Sequence, residues 1–258
     1  MISALDRSTK LLLVLFCLTM LSACAGQQQR LSSTEIAATS QPATRDTTIA
    51  LLGGTGMAGS HILQQTLAQG YRLRVLSRSP EKLAYLGQRI TVIQGDARDP
   101  QAIAQLLQGS DVVISAIGPS KSDGKTTTDL TTKASTNIVA AMQDQGIERY
   151  IVVSGAAVAL PGDERNLTGW LMRQLVKLRY PSLLSDRQAE YELLQSSNIN
   201  WIALRCPLIE SSAFVSEPIA SLTSPGSFKL RAGELAHFIV KQISADNYLR
   251  QAPFVFSE

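Results

Sequence analysis

Glycines at regular spacing mark the stretch of the sequence that is best suited to bind a ligand. LLGGTGMAGSHIL places Gly53, Gly56 and Gly59 three residues apart, directly after an apolar run and at the start of a helical pattern. Glycine allows a sharp turn and a close approach of the main chain, and the free amides of a helix N-terminus attract a pyrophosphate. The loop therefore predicts a dinucleotide site. The alternative is a tight strand-to-helix turn without a ligand.

The end of the second apolar run distinguishes between the two nicotinamide cofactors. An Asp or Glu at this place holds the ribose 2′-hydroxyl of NAD(H), whereas this chain has Ser77 and Arg78. A guanidinium beside hydroxyl groups suits a 2′-phosphate, which it binds through charge-assisted hydrogen bonds. The residues thus favour NADP(H) over NAD(H). The alternative is that Arg78 is a solvated surface side chain.

Residues at the ends of later apolar runs extend the candidate site. Ligands of parallel sheets bind outside the carboxyl ends of the strands. Asp96 follows VIQG and is placed to meet the adenine, unless it only forms an Asx turn. Residues 116–118 follow the next run, where the nicotinamide half must pass, and Ser154 ends the run after that. We expect these positions to lie together in one crevice.

The elements that must position these residues alternate regularly along the chain. Apolar runs rich in Val, Ile and Leu, separated by helical patterns, are typical of a parallel sheet covered on both faces. The pattern predicts an α/β fold with a doubly wound, Rossmann-type parallel sheet in one domain, residues 47–258. Ser185 and Gln188 predict a capping box for a late helix. The seven predicted strands are TIALLGG, RLRVLSR, ITVIQGD, DVVISAIG, RYIVVSGA, NWIALRCP and PFVFS.

The N-terminus resembles a bacterial lipoprotein signal. Two basic residues precede the apolar run LLLVLFCLTML, which is too short to span a bilayer, and the run ends in LSAC. This pattern predicts a signal peptide over 1–23, lipidation of Cys24 and a polar tether over 24–46. Ala25 favours an outer-membrane location in the bacterial cell envelope. The alternative is an uncleaved or chance apolar segment, which would leave the protein in the cytoplasm.

Composition argues against two other classes of protein. A net charge of +3, without a block of basic residues, argues against a nucleic-acid partner. Three Cys and two His without ligand spacing argue against a metal site.

Cys206 is interpreted as a small buried hydrophobe rather than a reactive thiol. The basic amphipathic segment 167–180 is expected to pack on the core or cover the pocket, with the membrane surface and self-association as alternatives.

The longer motifs resemble one branch of a known superfamily, the atypical short-chain dehydrogenase/reductases with an NAD(P)H-binding, NmrA-like domain. The likeness covers residues 49–257 and is greatest to the biliverdin-IXβ reductase, or flavin reductase, branch. It is carried by GGTGMAG, GYRLRVLSRSPEKL, GDARDPQAIAQLLQGSDVVISAIG, TNIVAAMQDQGIERYIVVSGA and AEYELLQSSNINWIALRCP. The resemblance implies a cofactor site formed by Gly53, Gly54, Thr55, Gly56, Met57, Gly59, Ser77, Arg78, Asp96, Ala97, Ala116, Ile117, Gly118, Ser154, Pro207 and Leu208.

The chain departs from this superfamily in its catalytic residues. The Tyr-x-x-x-Lys pair is absent, because Ser154, Leu184 and Gln195 stand four residues after the candidate tyrosines. Ser154 matches the family's active-site serine. Arg187 replaces a histidine and either clamps an anionic substrate or lies solvated on a helix. We expect hydride transfer from NADPH to a small flavin- or quinone-like acceptor. The alternatives are a non-catalytic NADP(H)-binding sensor or scaffold, or a structural envelope lipoprotein that no longer binds the ligand.

Overall fold

The computed structural model describes residues 44–119 and 129–258. The predicted signal peptide, Cys24 and most of the predicted tether lie outside these residues. Thr44 and Arg45, near the end of that tether, donate their backbone amides to the carbonyl oxygen of Gly70 at 3.0 and 2.9 Å. No helix in the described parts of the chain has the length and hydropathy that crossing a membrane requires.

The strands of the described residues form one large and one small sheet. The strands are β1 Thr48–Leu52, β2 Arg72–Ser77, β3 Thr91–Gln94, β4 Val112–Ser115, β5 Arg149–Gly155, β6 Asn200–Cys206, β7 Leu208–Glu210, β8 Ile219–Ser221, β9 Lys229–Arg231 and β10 Phe254–Phe256. The large sheet has the order β3-β2-β1-β4-β5-β6-β10-β8, and only β8 is antiparallel to its neighbour. The small sheet pairs β7 with β9 in parallel.

Helices cover both faces of the large sheet. They are α1 Met57–Ala68, α2 Pro100–Leu107, α3 Leu130–Gln145, α4 Leu167–Arg179, α5 Pro181–Ser196 and α6 Ala232–Gln242, with a 3-10 helix over Pro80–Arg89. Ile49 and Leu51 of β1 pack with residues of α1 and α6, whereas the alternate residues Ala50 and Leu52 pack with α2, α3 and α5. Both faces of the strand are thus buried, which explains its continuous apolar sequence. The predicted doubly wound parallel sheet is confirmed.

Most predicted elements are present, and the differences occur where local signals are weak. All seven predicted strands are found, as β1–β6 and β10. The short strands β7, β8 and β9 were missed because they are mostly not buried and lack a continuous apolar run, unlike the equally short but buried β10. The predicted capping box is wrong: α5 already begins at Pro181, whose fixed φ suits a first helical turn. The side chain of Gln188 instead bonds both backbone groups of Ala159, at 3.1 and 3.2 Å.

Candidate cofactor-binding site

The glycine loop after β1 brings the start of α1 against the end of β4. Gly53 has φ +82°, and a Cβ there would lie 2.6 Å from the carbonyl oxygen of Ala116. A Cβ on Gly59 would lie 1.9 Å from the carbonyl oxygen of Gly53. Neither position can carry a side chain without moving the backbone. The amide of Gly56 donates to that same Gly53 oxygen at 2.8 Å, which closes the turn directly before the helix.

A groove opens at the carboxyl ends of the central strands. Because the strand order reverses between β1 and β4, the helices on the two sides leave a crevice there, which is where ligands bind in open α/β sheets. The groove encloses about 170 Å³. Its lining consists of Leu52, Gly53, Thr55, Gly56, Leu76, Ser77, Arg78, Gly95, Asp96, Ala97, Ala116, Ile117, Gly118 and Leu130.

Most residues that the sequence predicted for the cofactor lie in this lining, and four lining residues were missed. Leu52 is the buried last residue of β1, Leu76 is the buried residue before the end of β2, and Gly95 directly precedes the predicted Asp96, so their positions at strand ends could have found these three. Leu130 has no such signal, because it reaches the groove only through the packing of α3. Of the glycine loop, Gly54, Met57 and Gly59 support the groove from outside its lining.

The rim of the groove is cationic. Arg78 is exposed and lines the groove directly after β2, while the Ser77 hydroxyl is buried and accepts a hydrogen bond from the Ser79 amide at 3.1 Å. Arg98, which the sequence analysis did not single out, binds both carboxylate oxygens of Asp96 at 2.8 and 2.7 Å. Hydrogen bonding from Arg98 lowers the pKa of Asp96 to about 2. The Arg98 amide also donates to Asp96, so the alternative of an Asx turn is present as well.

Arg187 is partly buried behind the far wall of the groove. Its Nη2 donates to the carbonyl oxygen of Ile117 at 2.5 Å, and its Nη1 donates to Glu190 Oε2 at 2.7 Å. The side chains of Arg187 and Glu190 are only 11% and 1% exposed. The alternative of a solvated Arg187 is therefore wrong, because both ends of its guanidinium are held inside the protein. Arg187 connects α5 to the loop that lines the groove.

The ion pair continues into a buried polar chain. Glu190 Oε1 accepts from the Ser135 hydroxyl at 2.7 Å, and Ser135 lies 2.9 Å from the hydroxyl oxygen of Tyr150. Burial raises the pKa of Tyr150 well above its usual value, and the negative charge of Glu190 adds to this effect. Next to the ion pair, both carboxylate oxygens of Asp186 accept backbone amides from the first turn of α3, at 2.8 and 2.9 Å. These contacts fix α5 against α3.

Three further predicted cofactor residues, Ser154, Pro207 and Leu208, also lie outside the lining of the groove. Ser154 is 8% exposed near the end of β5, where it is in register with Arg205 of β6. Pro207 follows β6, and Leu208 begins β7, where it pairs with Lys229 and remains 48% exposed. β7 pairs with β9 in the small sheet, so Leu208 and the preceding Pro207 lie outside the large sheet.

Two further expectations concern Cys206 and metals. Cys206 is buried at the end of β6, and burial raises its pKa to about 12, which leaves it a protonated, inert thiol at neutral pH. Its environment agrees with the interpretation as a small buried hydrophobe. Among the described residues, no group of three His, Cys, Asp or Glu side chains is arranged to hold a metal ion.

The fold and the groove together define a dinucleotide-binding α/β protein. The glycine turn, the strand-order reversal and the strand-end residues coincide at one place. The sequence profile of the NAD(P)H-binding family matches residues 53–246, which include every residue of the groove lining except Leu52. The chain belongs to this family.

Individual relatives are distant. Photosystem II assembly factor Ycf39 of Synechocystis sp. is 29% identical to this chain over 107 residues. These residues make up 41% of this chain and 33% of the relative. The chain thus spans about a third of the length of the curated relatives that it matches. A solved protein of Burkholderia pseudomallei, predicted to be exported, is 25% identical with a TM-score of 0.65, over 81% of this chain and 99% of the other. A Veillonella parvula short-chain dehydrogenase/reductase in complex with NADP is 17% identical with a TM-score of 0.69, over 82% of this chain and 94% of the other.

Proposed function

We propose that the protein is an NADPH-dependent reductase of a flavin- or quinone-like acceptor. The observation that carries the cofactor choice is the position of Arg78. It lines the groove directly after β2, where NAD-binding proteins place a carboxylate. The glycine turn suits a pyrophosphate, because it closes directly before the N-terminus of α1, whose backbone amides have no side-chain cap. A fold neighbour in complex with NADP supports the same choice.

The residues of the chain have separate roles in this proposal. Gly53, Thr55 and Gly56 would hold the pyrophosphate, and Arg78 would hold the 2′-phosphate. Residues 116–118 would flank the nicotinamide ribose, with Arg187 fixing the carbonyl of Ile117 from behind. Bound NADPH supplies a hydride. Ser154, at the end of the next strand, would orient the nicotinamide or the substrate.

We infer the class of acceptor from the position of Tyr150, one of the candidate tyrosines that could have donated a proton to a substrate. Tyr150 is fully buried, its hydroxyl is bonded to Ser135 and its pKa is raised, so it is not available to protonate a substrate. A flavin or quinone ring accepts hydride with little more than correct positioning, and solvent supplies the remaining proton. Carbonyl reduction, by contrast, needs a proton donor at the oxygen. The first class therefore suits the described residues better.

A second candidate is a non-catalytic NADP(H)-binding sensor or scaffold. One observation favours it: a curated relative is an assembly factor. The sequestered Tyr150 is compatible with either function. Turnover separates them, since a scaffold binds NADPH without oxidising it.

For location, we propose a lipoprotein anchored through Cys24 in the bacterial cell envelope, with the outer membrane favoured by Ala25. The LSAC motif after a short apolar run supports this, as does the fold neighbour that is predicted to be exported. A cytoplasmic protein, which would have direct access to NADPH, is the alternative. Labelling with a radioactive fatty acid tests the anchor: label on the natural chain and none on Cys24→Ser is expected, and equal label on both contradicts it.

The cofactor assignment is tested with residues 25–258, by binding of NADPH and NADH and by NADPH oxidation with FMN as acceptor. Arg78→Ala should weaken NADPH by about tenfold to a hundredfold, because a charge-assisted hydrogen bond is lost, and should leave NADH unchanged. Arg72→Ala is the matched control, because Arg72 lies at the opposite end of the same strand. Equal weakening of both cofactors by Arg78→Ala would remove the 2′-phosphate assignment. Binding without turnover would favour the scaffold.

A further inference from the structure

Helix α4 presents its apolar side to solvent. Leu167 and Leu178 are 80% and 82% exposed, and Trp170 is 52% exposed. Gly169 is the one residue of this helix that is fully buried. The sequence analysis expected the apolar side to pack on the core or cover the pocket, and the structure shows the opposite orientation.

Three of the exposed apolar residues lie on one face of the helix. Leu167, Leu171 and Leu178 recur at i, i+4 and i+11, which places them on one face of an α-helix. Trp170 lies three residues after Leu167 and therefore next to it, at the edge of this face. We call Leu167, Trp170, Leu171 and Leu178 the apolar stripe. Several exposed apolar residues grouped on one helical face mark an interaction surface, whereas single exposed apolar residues do not.

The opposite, more polar side of α4 anchors the helix to the domain. The Asn166 side chain caps its first turn by accepting the Gly169 amide at 2.8 Å. A Cβ on Gly169 would lie 3.7 Å from Pro225, so the helix passes close to the loop after β8. Arg173 donates its Nε to the carbonyl oxygen of Ala157 at 3.0 Å. The outward orientation of the stripe is therefore held by specific contacts on the other side.

Within α4 and the start of α5 all charged residues have one sign. Residues 167–185 contain Arg173, Lys177 and Arg179 and no Asp or Glu. Lys177 and Arg179 are exposed and flank the stripe on its two sides. The Arg179 guanidinium lies 4.9 Å from the centre of the Tyr180 ring. An apolar stripe with basic flanks and aromatic residues toward both ends has the composition of a helix that lies at a membrane interface.

We propose that α4 binds the surface of an anionic phospholipid membrane, with the apolar stripe in the acyl boundary and Lys177 and Arg179 on the lipid phosphates. A second copy of the chain fits less well, since residues 167–185 of that copy offer Lys177 and Arg179 no Asp or Glu as a partner. The proposal depends neither on lipidation of Cys24 nor on NADPH turnover, because it rests on α4 alone.

Vesicle binding by residues 25–258 tests the proposal. This part of the chain contains all ten described strands and both core layers, and circular dichroism checks its fold. Sedimentation with phosphatidylcholine vesicles is compared with vesicles that also contain phosphatidylglycerol, and binding is expected only to the second. Trp170 provides a second signal: it is exposed whereas Trp201 is 2% exposed, so a blue shift of emission reports Trp170 entering the bilayer.

Matched variants assign the binding to the stripe and its flanks. The double variant Lys177→Gln/Arg179→Gln should weaken binding about thirtyfold, or about fivefold for each cation. Lys133→Gln, an exposed cation on α3, is the control and should have no effect. Leu171→Ser/Leu178→Ser should abolish the fluorescence shift, whereas Val215→Ser, at an exposed apolar residue elsewhere, should not. All variants should oxidise or bind NADPH normally without vesicles.

Three results would overturn the proposal. The first is no binding to phosphatidylglycerol vesicles at low ionic strength. The second is equal loss of binding in Lys133→Gln and the Lys177/Arg179 variant. The third is a concentration-dependent dimer that Leu171→Ser/Leu178→Ser dissociates, which would assign the stripe to a second copy of the chain.

Discussion

Replacing Arg187 with methionine should destabilise the protein strongly, because its guanidinium is held inside the protein rather than solvated on the helix. The substitution removes the cation from Glu190, whose side chain is 1% exposed, and removes a donor from the carbonyl of Ile117. Methionine keeps most of the volume of the side chain, so the effect is mainly electrostatic. A buried carboxylate without its partner is the dominant consequence.

The expected magnitude follows from that burial. Removing one partner of a buried ion pair costs about 3–5 kcal/mol, a large part of the ~5–15 kcal/mol that stabilises a typical domain. For a chain of this length, about 2–4 °C per kcal/mol predicts a fall in Tm of roughly 6–20 °C. The exposed pair of Lys133 and Asp129, with side chains 60% and 48% exposed, is the contrast. Lys133→Met should cost only about 0.3–0.5 kcal/mol.

Urea unfolding of residues 25–258 measures the effect, with Glu190→Gln added to Arg187→Met as the second arm. The double variant removes both charges, and the glutamine can still accept from Ser135. It should therefore recover most of the lost stability. NADPH affinity is measured in parallel, because Arg187 fixes Ile117 at the groove.

Two results would refute this reasoning. One is a loss for Arg187→Met no larger than that of Lys133→Met, which would mean that the pair is solvated in solution. The other is a double variant as unstable as the single variant, which would mean that packing rather than charge makes the difference.

The remaining predictions concern the glycine turn, Asp96 and Cys206. Gly59→Ala should destabilise the protein by about 1–3 kcal/mol and abolish NADPH binding, because its Cβ would lie 1.9 Å from the Gly53 oxygen. Gly155→Ala is the control and should fold normally, because its Cβ meets no atom within 4 Å. Equal Tm values for the two variants would contradict this prediction. The pKa of Asp96 is lowered from 3.8 to about 2. The ionised carboxylate therefore stabilises the folded protein above about pH 4, and this contribution is lost as the pH falls toward 2. Urea midpoints of Asp96→Asn should therefore fall less steeply with acid than those of the natural chain, and parallel curves would disprove the contribution. Cys206 should react with a thiol reagent only after unfolding, since it is 4% exposed and its pKa is raised to about 12; fast labelling of the native protein would show otherwise.

The sequence by itself determined the sheet and the core of the cofactor site. The central strands β1, β4, β5 and β6 could be predicted because a strand buried on both faces is apolar throughout, which is a local property of the chain. The glycine turn could be predicted from its spacing, and Gly59 meets the backbone of Gly53 close by in sequence, whereas the close contact of Gly53 with Ala116 joins distant parts of the chain and appears only in the fold. Arg78 follows directly from its place at the end of β2.

Only the tertiary structure decided what lies across from these residues. Arg187 bonds Ile117 over a separation of 70 residues, and Asp186 caps α3 over 55 and 54 residues. Leu130 enters the groove through the same packing of α3. No local pattern encodes such contacts, because a helical period shows that one face is apolar but not which face meets the core. Helix α4 illustrates this: Gly169 and Arg173 hold its polar side to the domain, and the leucines of the apolar stripe face outward.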